Sequence, residues 1–433
     1  MIALPSLSKL LAPRLPALAG LLLLSNPGFA LEADFRIKWF TTASQIPPHD
    51  VERAHPSVAA PLIGRSGEGT PTLDHSLDLR LILKQDIGPF RLLLDHSTIV
   101  LNGDAIVAGG GLDTRVDQTV SEDGRRFADL TRPIDDGSRW RSFHRLDRLA
   151  VQYQKGNWGV TLGRQAVSWG SGIVFQPLDL FSPFSPTVVD RDYKAGDDLI
   201  LVEHLLDNGH DLQLLHVVRR DDTEEVTQQV ASSALKWHGY VGAGEFEVIA
   251  AQHYDDTVAG FSLRWPLGQA LVRADLVISE DLSGDRVYSG LLNADVTFTL
   301  GGRNAYVFAE FFHNGWGVSR LPDNPVFLPE ELNQRLIRGE VFNLMRNYVA
   351  FGGNYEWHPL ISQNLTMLTN LHDGSSLLQM QVSYSPGDNQ NMDLGFILPL
   401  GSRGDEFGGI PLAGSSVTTG GASRGYFRWV YFL

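Results

Sequence analysis

The chain has 433 residues, with 35 Lys plus Arg against 50 Asp plus Glu and a formal net charge of −15. That acidic balance, without a basic cluster interleaved with aromatics, excludes a nucleic-acid binder. The absence of cysteine excludes a disulfide framework. Beyond residue 30 no apolar run reaches the ~18 residues that a spanning helix needs.

Residues 1–30 read as a removable leader. Lys9 and Arg14 make a basic start, Leu15 to Leu24 an apolar stretch, and Gly28-Phe29-Ala30 a small-residue cleavage site. The rest, 31–433, reads as one domain. Alternation of apolar and polar residues begins clearly at Leu73. Leu77, Leu79, Leu81 and Leu83 fall on one face, and Asp78, Arg80 and Lys84 on the other. The same two-residue period returns through Phe90–Asp95, Arg148–Tyr153, Phe261–Trp265, Leu292–Phe298 and Leu378–Tyr384.

Strands are predicted to begin near residues 33, 72, 90, 143, 158, 198, 210, 231, 245, 257, 269, 286, 305, 345, 361, 376, 391 and 424. Sixteen strands is the alternative, because Leu212–Val218 and Ala231–Tyr240 alternate poorly. Short turns such as Gln85–Pro89, Gly156-Asn157, Leu267-Gly268 and Gly301–Asn304 take turns with long connections. The long ones are Ala43–Pro71, Gly103–Arg141, Trp169–Asp197, Asn314–Leu344 and Gly401–Ser423. Short turns on one side and long loops on the other predict an all-β, transmembrane, antiparallel up-and-down barrel whose short turns lie in the periplasm.

Aromatics support that phase. Phe35, Phe90, Tyr153, Trp158, Phe246, Trp265, Phe298, Trp357, Tyr384 and Tyr431 all fall beside short turns or the chain ends. They would form one girdle at a lipid–water interface. An arginine facing lipid at mid-membrane costs about 2–4 kcal/mol, so Arg80, Arg91, Arg148, Arg264, Arg273 and Arg346 are assigned to the lumen. Asp95, Asp275 and Glu310 share that phase. Strict alternation from Trp158 would turn Arg164 outward; either a bulge at Gly163 re-aims it or it lies high enough to snorkel, and the bulge is favoured. A lumen of mixed charge fits a water-filled passage for small polar or charged solutes.

The connection Trp169–Asp197 differs from the rest of the chain. Pro177, Pro183 and Pro186 interrupt it, Phe175, Phe181, Phe184 and Tyr193 run through it, and charge gathers at Asp190, Arg191, Asp192 and Lys194. Long connections with apolar anchors are commonly functional. Trp169, Asp179, Asp190, Arg191, Asp192 and Lys194 are its candidate constriction residues.

Three resemblances add expectations. General porins fold this same third outward loop into the lumen, which implies a constriction here. Leu162-Gly163-Arg164-Gln165 followed by Trp169-Gly170 is similar to a Gly-Arg-Gln element with a following aromatic-Gly pair in alginate-export-type porins, which are eighteen-stranded. The alternation Phe427, Trp429, Tyr431, Leu433 resembles the C-terminal signal that the barrel-assembly machinery of Gram-negative outer membranes reads, with Leu in place of the usual Phe. Together they imply an outer-membrane channel that needs no cofactor or metal.

An enzyme is not expected. In Asp95-His96-Ser97 the histidine points away from its neighbours, since a strand alternates faces, whereas a triad must converge. His313-Asn314-Gly315 resembles the His-Ser-Asn-Gly element of outer-membrane phospholipases but has no serine. The remaining alternative is a structural barrel around a periplasmic or extracellular protein partner, such as a multi-haem cytochrome.

Overall fold

The structure is a computed structural model and describes residues 31–45, 71–107, 123–189, 192–322, 327–411 and 418–433. The leader therefore lies outside the described residues, as do Asp190 and Arg191.

Alternation gives strands at the expected places. The first six are β1 (Leu31–Gln45), β2 (Thr72–Ile87), β3 (Phe90–Gly103), β4 (Trp140–Lys155), β5 (Trp158–Gln165) and β6 (Asp197–Leu205). The next six are β7 (Asp211–Val217), β8 (Ser232–Val241), β9 (Gly244–His253), β10 (Asp256–Leu267), β11 (Ala270–Glu280) and β12 (Arg286–Leu300). The last six are β13 (Arg303–His313), β14 (Asn347–His358), β15 (Ile361–Asn370), β16 (Ser376–Gly387), β17 (Gln390–Leu400) and β18 (Ser423–Phe432). Each pairs antiparallel with its neighbours in sequence, and β18 returns to β1 with Arg36 opposite Phe432 and Gln45 opposite Ser423. The ring is closed at eighteen strands, so it has no free edge to protect. The sixteen-strand alternative fails because the poorly alternating segments form β7 and β8.

One further short strand, Thr131–Asp136, pairs with the outer end of β4 and stands outside the ring. No helix among the described residues is long and apolar enough to cross a membrane. Here strands do so.

The outer face is apolar. Leu292 is 56% exposed while its neighbour Asn293 is 2% exposed, and the same contrast separates Phe311 from Glu310. A protein in water would not leave this many large apolar side chains uncovered around its girth. Lipid covers them. The core lies inside the ring, where inward strand residues meet the third outward connection. One cluster joins Val174 and Phe175 to Phe312, Tyr348 and Tyr426. A second joins Val167, Trp169, Leu178 and Phe181 to Leu199, Leu215 and Ile249.

Two sequence expectations need correction. No bulge at Gly163 turns Arg164 inward, since pairing stays in step with Ala150 opposite Gly163 and Leu149 opposite Arg164. Gly163 has φ +120°, open to a residue without Cβ, and this reverses the alternation. The one-residue bulge lies on β4, where Asp95 and His96 face Arg148 and Leu146 and leave Asp147 extra. Arg346 precedes β14 rather than belonging to its lumen face. It is exposed and donates to the Gly317 carbonyl at 2.8 Å.

Candidate functional site

The third connection enters the ring along the wall made by β9 to β13. There the lumen carboxylates act on its main chain. Gly170 N–H donates to Glu247 at 3.2 Å, and Ser171 donates to Asp275 through N–H at 2.9 Å and hydroxyl at 2.6 Å. Glu310 accepts three successive amides, from Ile173 at 2.7 Å, Val174 at 2.9 Å and Phe175 at 2.8 Å. Asn293 adds a fourth donor at 2.9 Å. A carboxylate that accepts several N–H groups fixes backbone strongly. Arg264 completes this side, donating to the Gly170 carbonyl at 2.6 Å and to Glu247 at 3.1 Å. Gly170 is at φ +87°, and a Cβ there would crowd both Asp275 and Leu178. Phe175 stacks on Phe312 with centroids 4.4 Å apart.

The middle of the connection is held from within. Lys194 Nζ lies 2.5 and 2.6 Å from the two Asp179 oxygens, donates to Ser168 at 2.9 Å and also contacts the Val167 carbonyl. Burial pushes the Asp179 carboxyl up to about 6, against the opposing pull of the Lys194 ammonium. Burial also lowers Lys194. Trp169 is buried beside them, edge-on to Phe181, with its indole N–H on Gln213 at 3.3 Å.

The far end meets the opposite wall. Asp192 pairs with Arg428 of β18, and the Tyr193 hydroxyl accepts from Arg36 of β1. The Tyr193 ring covers Arg80 of β2, with 3.6 Å from guanidinium carbon to ring centroid. Arg148 of β4 donates to the Lys194 carbonyl at 2.8 Å.

Other sequence-selected residues have different surroundings. Arg164 is buried between Asp198 at 2.9 Å and Asp123 at 3.0 Å. It ties the second outward connection to the base of the third. Arg273 pairs with Asp295. Arg91 lies at the inner rim, half exposed, on Asp86 at 2.6 Å. Asp95 faces inward and accepts no hydrogen bond among the described residues, and His96 faces outward against His144. Alternation placed the wall carboxylates, but nothing in the sequence named the amides they hold. Sequence reasoning also missed the helix Glu330–Arg338 in the connection between β13 and β14. Its Arg335 contacts Asp256 and lies over Trp316 at 3.4 Å from the ring centroid. Its apolar spacing, Leu332 to Leu336, was the available signal. Among the described residues no three His, Asp or Glu side chains converge as a metal site.

Of the cavities along the third connection, two lie at its leaving end. The inner one, about 330 Å³, is lined by Arg36, Lys84, Asp95 and Arg148 among others. The outer one, about 740 Å³, has Tyr193, Ala195 and Tyr254 in its wall.

A closed antiparallel ring of eighteen strands, apolar outside and ionic inside, defines the chain as a β-barrel of the outer-membrane type. No family model and no curated protein matches its sequence. Solved structures do match its shape over 93% of this chain and 98% of each of theirs. They include a BenF-like porin from Pseudomonas fluorescens Pf-5, with TM-score 0.52 and 13% identity. Pseudomonas aeruginosa OccK2 (OpdF) in complex with glucuronate and OpdK with vanillate each match with TM-score 0.51 and 10% identity. At such identity the likeness is one of fold.

Proposed function

We propose that the chain is a passive, partly selective outer-membrane channel for small polar or charged solutes. The observation that carries this is the main chain of Gly170–Phe175, bonded to Glu247, Asp275 and Glu310 on the inner wall. A segment held there narrows a passage, and selection then needs only width and placed charge. The constriction is assigned to Trp169, Asp179, Asp192 and Lys194, with Asp190 and Arg191 completing its charged end. Arg80, Arg148, Arg164, Arg264, Arg273, Asp95, Asp275 and Glu310 make the wall. Solutes the size of the vanillate and glucuronate bound to the neighbouring proteins suit such a passage.

In this role residues 1–30 direct export and are removed, and the strand ending at Leu433 is read by the barrel-assembly machinery of a Gram-negative outer membrane. A sheath around a protein partner would need a lumen clear of inserted chain, so the channel is favoured. No catalytic step is proposed. The test is current through the purified chain in planar bilayers under a salt gradient. Discrete conductance steps with a non-zero reversal potential are expected. An inserted barrel that stays silent would overturn the channel.

A further inference from the structure

The two ends of the third connection are held very differently. The entering end is fixed by buried carboxylates on main-chain amides, with Asp275 and Glu310 nearly inaccessible. The leaving end, Asp192 to Lys194, lies on the wall built by β18, β1, β2 and β4 through contacts a solute could also make. Asp192 offers a carboxylate to Arg428, Tyr193 a hydroxyl to Arg36 and a ring face to Arg80, and Lys194 a carbonyl oxygen to Arg148. Three consecutive residues thus occupy four arginines.

Their position gives this meaning. Arg36 and Arg148 line the inner cavity, and Tyr193 with Ala195 lines the outer one. The segment therefore stands between two spaces on one side of the barrel. Its outermost bond is the most open to water, and Arg428 keeps a second carboxylate, Asp393, at 2.5 Å. The Asp192 side chain is 31% exposed, and a partly exposed ion pair gains little over hydration by water. A competing anion that replaces that carboxylate leaves Tyr193 held only by its contacts with Arg36 and Arg80.

We propose that Asp192 and Tyr193, next to the fixed Lys194, are a removable stopper, occupying the arginine wall between the two cavities until a carboxylate-bearing solute takes the place of Asp192. The inference rests on the channel role proposed above and adds its regulation: the chain carries its own competitor for the solute. Occupancy by solute opens the path, so passage rises with solute concentration faster than for an open hole of the same width.

The test compares the full chain with Asp192→Asn and Tyr193→Ala in planar bilayers, using chloride and acetate as the probe anions. Folding of each variant is checked first by the gel shift that heating produces in an intact barrel. Either variant should conduct roughly twofold or more above wild type in chloride, with reversal potential moved toward anion preference. Acetate should raise the wild-type current toward the variant level and leave the variants unchanged. Variants equal to wild type in current and reversal potential, or an acetate effect that survives both substitutions, would overturn the stopper while leaving a channel. Silence of all three chains would instead remove the channel role, and the stopper with it.

Discussion

Glu310 shows how one inward side chain can govern a segment far away in sequence. It accepts three amides in a row, and Gln in its place would keep the size but lose the charge. Glu310→Gln is expected to weaken the hold on Ile173–Phe175 by about 1.5–3 kcal/mol, the range for hydrogen bonds to charged groups. Hydrogen exchange at those amides should accelerate while the strands stay protected, and unchanged protection would contradict the assignment. Asp179 gives a pH dependence with a definite sign. Its ordinary value is 3.8 and its folded value about 6. The folded connection therefore holds this proton more tightly than an unfolded one. Its contribution to stability is full below about pH 4 and is lost as pH rises through about 6. Protection of the connection, corrected for intrinsic exchange, should fall over that window and be flat in Asp179→Asn. At this scale alternation identified which side of the wall Asp275 and Glu310 face. It could not identify their partners, because amide acceptors have no sequence pattern.

Strands were the most legible elements. Eighteen starts read from the two-residue period lie within three residues of the observed ones, since lipid on one side and water on the other enforce that period along each strand. Arg164 was harder because a positive φ at Gly163 reverses the side chain without inserting a residue. The connection between β13 and β14 was least legible. Its helix Glu330–Arg338 folds onto the β9–β10 tip, with Arg335 on Asp256, and Glu340 just beyond it meets His253 at 3.2 Å. Removing one partner of a buried ion pair leaves the other uncompensated, so Arg335→Ala should cost this element about 3–5 kcal/mol. The expected readout is protease cleavage within the helix in an otherwise intact barrel; resistance equal to wild type would mean the helix is held by something else.

For the molecule as a whole, two media fix the phase of every strand. Leu292 and Asn293 are neighbours on β12, one outward and one inward. Leu292→Arg is expected to destabilise the barrel by about 2–4 kcal/mol in denaturant titrations from lipid vesicles, as for arginine at the bilayer midplane. A negligible effect would place Leu292 away from lipid. Closure of the ring was accessible only indirectly from the sequence, through the alternation of short and long connections. The pairing of β1 with β18 joins the chain's two ends and has no local signature.

The most direct measurement replaces Trp169–Lys194 by a short glycine-serine link between Ser168 and Ala195 and compares single-channel conductance with wild type. If the third connection narrows a water-filled lumen, the shortened chain should pass several-fold more current with weaker ion preference. Equal currents in the two chains, or no current in either, would contradict it.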